Sequence, residues 1–268
     1  MQTPDEVVYG EWRQLEAIPV MDSRKPMRQS LMDLTGDGRL DWVMAQPGVS
    51  GFFTLNPDRS WSNFVTFAAF PVEFFHPQSQ LADLMGGGLS DLALIGPRSV
   101  RLYANRREDG FATAADVPHR LETAPEDRLP LLSQAQTELV AFSDVLGSGQ
   151  QHLVRIRHNE IVCWPNRGHG RFDPGFRLGS LPYTYESFDA SRVLLADLDG
   201  SGAADLIYLT SEHAEIFMNR TGMGFESSPR RLPWPPGVRY DRLCQVSTAD
   251  LQGLGCSSLV LTLSLIHI

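Results

Sequence analysis

The residues best suited to chemistry in this 268-residue chain are aspartates that recur in a nine-residue pattern. In its fullest form the pattern places oxygen-bearing side chains at positions 1, 3, 5 and 9, with a backbone carbonyl at position 7 and glycine at position 6. EF-hand calcium loops begin with the same order of ligands, and their glycine permits a sharp turn. The pattern therefore predicts cation sites built from oxygen ligands.

Two of the five copies keep the whole set of candidate ligands, namely loop 1 (residues 33–41) and loop 4 (residues 197–205). We expect calcium in these two loops only. The candidate ligands are Asp33, Thr35, Asp37, the Arg39 carbonyl and Asp41 in loop 1, and Asp197, Asp199, Ser201, the Ala203 carbonyl and Asp205 in loop 4.

The other copies, loop 2 (residues 83–91), loop 3 (144–152) and loop 5 (250–258), have lost ligands. Their ligand positions hold Met85, Gly87, Leu146, His152, Leu254 and Ser258. A hard cation gains little from such groups, so these loops are predicted to be metal-free turns. The alternative is that all five loops are only turns, in which aspartate caps backbone amides and glycine supplies positive φ.

The repeat extends well beyond the loops. Copies start at residues 33, 83, 144, 197 and 250, and two further residue types keep their distance from each start. An Asn-Arg pair follows 22 residues after the first Asp in three copies (Asn105, Asn166, Asn219), and an aromatic residue follows after 28 in four (Trp61, Phe111, Phe172, Phe225). A period of this length is typical of a propeller blade rather than of a helical solenoid repeat.

Short apolar runs before and after each loop predict the first and second strands of a blade, buried on both faces. A third run ends at the Asn-Arg pair, and the aromatic residue opens a more polar fourth strand. The predicted fold is all-β: a β-propeller of four-stranded antiparallel blades, with about five repeats visible. The chain is predicted to be a fragment of a larger propeller; the alternative is that an N-terminal strand closes the ring against the last repeat. One domain covers residues 1–263, residues 9–19 are predicted to form an outer strand, and residues 264–268 fit no repeat and are interpreted as a truncation scar.

Composition restricts the partners. The formal charge is −9 and no basic tract occurs, which argues against nucleic acid and anionic membranes. No apolar run approaches the ~20 residues of a membrane span, and the acidic N-terminus has no classical signal peptide. Cys163, Cys244 and Cys256 lack paired spacing and are predicted to be free thiols.

Catalytic patterns are missing from the sequence. The seven histidines are scattered, and no HExxH, GxSxG or Walker-type motif is present. His169 sits in Arg167-Gly-His-Gly-Arg171, which is interpreted as an exposed turn between the third and fourth strands. The chain is therefore predicted not to be an enzyme.

The aspartate loops, with their Asn-Arg and Gly-Phe pairs, resemble FG-GAP/VCBS propeller repeats. The run from Arg231 to Leu261, which begins Arg-Leu-Pro-Trp-Pro-Pro-Gly, is similar to the middle region of the B component of bacterial toxin complexes, the TcdB/SpvB-type insecticidal toxins. The loop resemblance covers nearly the whole chain and is shared by many functions. The C-terminal run is more specific.

The toxin resemblance implies a virulence factor that acts outside the cell. In that family the propeller docks onto a pore-forming A component and gates passage of the toxin, while RHS repeats form a shell around the toxic segment. The implied partners are thus the pore-forming component and the RHS-type shell of the longer protein. The alternative is a calcium-dependent FG-GAP/VCBS adhesin or a glycan-binding propeller, with an enzyme a distant third.

Overall fold

The structure, a computed structural model, describes residues 28–46, 48–68, 70–76, 78–96, 99–118 and 137–263. Within these ranges the chain is almost entirely strands and turns, with short 3-10 helices at Val72–Phe75, Arg107–Asp109 and Ala190–Arg192. The strand predicted at residues 9–19 and the scar predicted at residues 264–268 lie outside the described residues. In the described part, no helix is long and apolar enough to cross a membrane.

The strands form four four-stranded sheets and a two-stranded hairpin, each in chain order. Blade 1 has β1 (Arg28–Met32), β2 (Asp41–Gln46), β3 (Val49–Thr54) and β4 (Val65–Thr66). Blade 2 has β5 (Ser79–Ala82), β6 (Asp91–Ile95), β7 (Ser99–Asn105) and β8 (Phe111–Pro118). Blade 3 has β9 (Glu138–Ser143), β10 (His152–Arg157), β11 (Glu160–Trp164) and β12 (Phe176–Gly179). Blade 4 has β13 (Val193–Ala196), β14 (Asp205–Leu209), β15 (His213–Phe217) and β16 (Arg230–Pro233), and the hairpin has β17 (Cys244–Ala249) and β18 (Ser258–Leu263).

The predicted fold class is confirmed: the protein is an all-β β-propeller with four-stranded antiparallel blades. Each nine-residue loop joins the first and second strands of its blade, and position 9 is the first residue of the second strand in all five copies. The five position-9 residues pair with the last residue of the preceding strand, as Asp205 does with Ala196. The loops therefore occupy equivalent places in every repeat.

The predicted start of the fourth strand needs correction in three blades. Strand β8 does begin at its aromatic residue, Phe111. In blades 1, 3 and 4 the aromatic residue instead forms an isolated bridge across the turn, and the strand begins several residues later; the bridges are Leu55↔Trp61, Asn166↔Phe172 and Asn219↔Phe225. The aromatic position thus closes the turn rather than opening the outer strand.

The described residues fall into two compact units. Unit 1 lies within Met1–His76 and Asn105–Ala112, and unit 2 lies within Pro77–Ala104 and Thr113–Ile268. In unit 1 the core is aromatic, with ring centroids 4.8–6.3 Å apart among neighbouring rings of Phe52, Phe67, Phe70, Phe74 and Phe111. Such a cluster buries a large apolar area within unit 1.

Unit 2 keeps its apolar core between successive sheets. Three clusters lie between blades 2 and 3, between blades 3 and 4, and between blade 4 and the β17–β18 hairpin. Strand β14 is buried along its whole length, and its residues alternate between two of these cores: Leu206 and Tyr208 face one, Ile207 and Leu209 the other. Successive side chains of a strand point to opposite faces, so a strand between two cores is apolar on both faces, as β14 is after Asp205.

Candidate functional site

The aspartate at position 1 caps the backbone of every loop. In loop 4 the Asp197 carboxylate accepts hydrogen bonds from Gly200 N and Gly202 N, both at 2.8 Å, and from Ser201 N at 3.2 Å. The position-1 aspartates of the other loops accept hydrogen bonds from the amides four and five residues later in the chain; they are Asp33, Asp83, Asp144 and Asp250. The glycines at positions 4 and 6 have φ between 66° and 85° in all five loops, which a side chain would disfavour. Position 1 is therefore architectural whether or not a cation binds.

Position 9 is a second backbone acceptor, and it is buried in loops 1 to 4. In loop 4, Asp205 Oδ2 accepts from Leu198 N at 3.0 Å and Oδ1 accepts from Asn219 N at 2.7 Å. In loop 3, His152 takes the same place: its Nδ1 accepts from Asn166 N at 3.0 Å. Burial lowers the pKa of His152 despite the opposing charge of Asp144, so the ring is neutral and able to accept. The imidazole thus replaces the carboxylate as a structural acceptor.

Loop 4 brings three carboxylates together. One oxygen each from Asp197, Asp199 and Asp205 lies within 4.8 Å of the others. Asp205 is fully buried, and burial together with the charges of Asp199 and Asp197 raises its pKa, although hydrogen bonds from Asn219 and Leu198 oppose that rise. Among the described residues, none of the three forms an ion pair with an arginine, lysine or histidine. The other two predicted ligand positions also meet, since Ser201 Oγ donates to the Ala203 carbonyl at 3.4 Å.

This donor set suits a hard divalent cation. Carboxylate, hydroxyl and carbonyl oxygens are the ligands that calcium takes, and a cation would relieve the mutual repulsion of the three carboxylates. The carboxylate oxygens that cap amides still have lone pairs for a metal, because each carboxylate oxygen accepts more than one bond. The residues of loop 4 therefore fit calcium.

Loop 1 satisfies its charges differently. The Arg39 guanidinium donates to Asp37 Oδ2 from Nε at 2.7 Å, and this bond holds the pKa of Asp37 below its usual value. The carboxylates of Asp33, Asp37 and Asp41 do not form a group like that of loop 4 among the described residues. Asp41 Oδ1 accepts from Thr54 Oγ1, and Thr35 Oγ1 is buried without a hydrogen-bond partner. An orphaned hydroxyl at a ligand position fits a cation, but Asp37 must first leave Arg39.

Two of the loops that lost ligands, loops 2 and 3, use position 3 for packing. Met85 in loop 2 packs against the core between blades 2 and 3, and Leu146 in loop 3 packs against the core between blades 3 and 4. An apolar side chain there anchors the loop where a cation would otherwise do so. Whether these copies are metal-free turns remains a prediction.

The repeated asparagine bonds to the preceding loop, a role that its spacing did not predict. Its Nδ2 donates to the position-2 carbonyl of the preceding loop: Asn105 to Leu34 at 3.1 Å, Asn166 to Leu84 at 3.3 Å and Asn219 to Val145 at 2.8 Å. Its Oδ1 accepts from a backbone amide in its own turn. The constant 22-residue spacing was the available signal, but spacing alone did not reveal the long-range partner.

Backbone bonds add to this linkage in unit 2. Ala204 N donates to the Asp144 carbonyl at 2.8 Å, and Ser257 N donates to the Asp197 carbonyl at 2.6 Å. Loops 3, 4 and 5 are thus joined in series. A cation in loop 4 would lie in the middle loop of that series.

A second polar cluster ties blade 4 to the segment before it. The buried Glu215 carboxylate accepts from Tyr183 OH at 2.7 Å, and His213 Nε2 lies 3.2 Å and Arg231 Nε 3.4 Å from it. Burial works to raise the pKa of Glu215, but the bonds from Tyr183 and His213 outweigh it and leave the pKa lowered. Tyr183 also packs against Tyr208 with ring centroids 4.4 Å apart and ring planes tilted by 33°. The charged carboxylate therefore stabilises the fold.

Comparisons with known proteins find similar solved structures, but no family model and no curated protein matches the chain. The chain is 49% identical to part of a Photorhabdus luminescens Tc holotoxin pore structure, over 92% of its own length and 11% of the matched chain, with a TM-score of 0.78. The chain is also 47% identical to part of a TcdB2–TccC3 crystal structure, over 95% of its own length and 12% of the matched chain, with a TM-score of 0.56. The chain is thus similar to about one-ninth of much longer Tc toxin chains.

A third similar structure is a lectin from Agrocybe aegerita that recognises non-reducing terminal N-acetylglucosamine. Identity is 20% over 88% of this chain and 61% of the lectin, with a TM-score of 0.59. Identity this low shows a shared propeller fold only.

Replacing Asn219 with alanine is expected to destabilise the protein by about 1–3 kcal/mol, because the buried carbonyls of Val145 and Ala204 lose their partner. Urea unfolding followed by tryptophan fluorescence measures this change. Asn159→Ala, at an exposed turn residue of blade 3, is the matched control and should be close to neutral. Equal midpoints for the two variants would show that the asparagine bonds add no stability.

Lowering the pH should remove the contribution of Glu215 to the free energy of unfolding. A lowered pKa means that the stabilisation is present above the ordinary glutamate value of 4.5 and is lost as pH falls through the lowered folded-state value. Glu215→Gln should therefore cost about 1 kcal/mol at neutral pH and progressively less below pH ~4. Denaturant melts of both proteins across that range measure the difference, and a difference that does not change with pH contradicts the assignment.

Proposed function

We propose that this chain is the propeller module of a toxin-complex B component, and that it works by docking rather than by catalysis. The observation that carries the proposal is the 49% identity across 92% of the chain to a Tc holotoxin structure. In this role the module docks onto the pore-forming A component and gates passage of the toxic segment outside the producing cell.

The chemistry of the described residues is consistent with a binding scaffold. Burial raises the pKa of the Cys163 thiol to about 12, so it is not a nucleophile at neutral pH. His152 is occupied as a backbone acceptor and His213 pairs with Glu215. The strongest polar groups therefore serve the fold, which leaves the exposed turns for contact with a partner.

Calcium is part of the proposal. Loop 4 would hold it through Asp197, Asp199 and Asp205, with the Ser201 hydroxyl and the Ala203 carbonyl, and loop 1 through its matching residues Asp33, Thr35, Asp37, the Arg39 carbonyl and Asp41. The ion would supply positive charge to neutralise the carboxylates and would fix the first strand against the second. Because Arg39 already neutralises Asp37, we expect loop 1 to bind more weakly than loop 4.

Millimolar calcium should raise the melting temperature relative to chelator. An ion that binds only the folded loop at about 100 times its dissociation constant adds roughly 2.7 kcal/mol. Asp199→Asn should remove most of the response and Asp37→Asn a smaller part, whereas Ser148→Ala, at position 5 of loop 3, should leave it intact. Differential scanning calorimetry of the four proteins checks this, and a wild-type melt that ignores calcium would mean that the loops are only turns.

The docking role is tested with the pore-forming A component encoded in the same genome. The protein, prepared with the sequence that flanks it in its reading frame, should bind that component in pull-down and biolayer interferometry, and should show no hydrolase activity. The control is an A component from an unrelated complex. Absence of binding, together with binding to a glycan array, would replace the proposal with the adhesin alternative.

A further inference from the structure

The turn between β11 and β12 in blade 3 differs from its counterparts in charge. We call residues 167–173 the arginine turn. Arg167 N donates to the Arg171 carbonyl at 2.8 Å, and the corresponding bonds at 2.7–2.8 Å recur in the other three blades, so the backbone is the same. At the position of Arg171 the other turns have Ser60, Gly110 and Gly224, and at the position of His169 they have Asp58, Glu108 and Gly222.

These replacements create an excess of positive charge at one place on an acidic chain. The arginine turn carries Arg167, His169 and Arg171 with a single carboxylate, Asp173. In the corresponding turns of blades 1, 2 and 4, the number of acidic residues equals the number of arginines. His169 has a positive φ of 52°, but each of the other three turns also holds one non-glycine residue at positive φ (Arg59, Arg107 and Thr221), so this conformation belongs to the repeat. The charge is what sets the turn of blade 3 apart, and a departure from an otherwise regular repeat points to a role beyond the fold.

The side chains line a cleft of about 450 Å³, whose walls are Arg167, Arg171, Phe172 and Asp173. Phe172 is half-buried and fixed against Phe142, with ring centroids 6.3 Å apart. Arg167 Nε donates to Asp173 Oδ2 at 2.6 Å, which orients its guanidinium and leaves its other nitrogens available. The Arg171 guanidinium is exposed, and it makes no hydrogen bond or ion pair to any described residue.

Two guanidinium groups beside an aromatic ring form a receptor for carboxylates. Arginine binds a carboxylate through parallel hydrogen bonds, and the ring gives an apolar surface for the carbon atoms of the ligand. Asp173 repels a multiply charged phosphate but accepts a hydrogen bond from a peptide amide. The net charge of −9 argues further against a nucleic acid.

We propose that this cleft binds an acidic segment of a protein partner, through a glutamate or aspartate side chain held between Arg167 and Arg171. This rests on the proposed function, because it names the place and the charge of the docking contact. The partner segment is expected to present carboxylates on an exposed loop or tail.

The first test uses peptides. Fluorescence anisotropy should show that an oligoglutamate peptide binds the protein in low salt and is released by added salt, while an oligoglutamine peptide does not bind. Arg171→Ser, which installs the residue type of blade 1, should weaken binding by about tenfold or more with an unchanged melting temperature. Arg220→Ser, at the position of Arg167 in blade 4, is the matched control and should bind as the wild type does. Equal binding of both peptides, no effect of Arg171→Ser, or tighter binding of inorganic pyrophosphate would each overturn the proposal.

The second test separates this proposal from the docking role. Selective loss of A-component binding in Arg171→Ser, with retention in Arg220→Ser, supports the cleft as the contact. If both variants bind the A component equally well, the cleft proposal fails and the docking role stands. If the wild type binds oligoglutamate through Arg171 but no A component, the docking role fails and the cleft stands as a site for acidic peptides.

Discussion

The structure depends on pairing the backbone amides of the nine-residue loops. Each loop turns through two glycines with positive φ, so its amides point inward and have no strand to bond with. The position-1 aspartate accepts three of them in loops 1, 2 and 4. Most of these amides are exposed, so each bond contributes about 1 kcal/mol by holding the turn in its shape rather than by pairing a buried group. The aspartate therefore fixes the tight passage from the first strand into the second.

This requirement explains why the loops diverge as they do. Positions 1, 4 and 6 are the same in all five copies, and position 9 keeps a polar acceptor even where it becomes His152. The side chains at positions 3 and 5 make no backbone bond that is common to the five copies, and they change from copy to copy. A loop can thus lose its candidate calcium ligands at positions 3 and 5 while its shape is preserved, and Met85 or Leu146 at position 3 then contributes packing instead.

The sequence predicted the fold well because strand periodicity, loop spacing and turn residues all indicate the same blade. It predicted the candidate site only in part. The gathering of Asp197, Asp199 and Asp205 follows from spacing within one loop, but the pairing of Asp37 with Arg39 does not, since a side chain can turn toward either a cation or its neighbour. The asparagine contacts span 71 to 82 residues, and no local pattern specifies such partners. The cleft at the arginine turn likewise depends on the directions that its side chains take, which the sequence pattern does not specify.

The asparagine bonds run in one direction along the chain, each reaching back to a carbonyl in the preceding loop. During synthesis on the ribosome, a finished loop must wait for its asparagine to emerge. At about 5–20 residues per second, a separation of 71 to 82 residues corresponds to roughly 4–16 seconds. Translation speed in the following blade therefore sets how long each loop carbonyl remains without its native partner, and a stretch of slowly translated codons there would prolong the exposure of the newly made sheet.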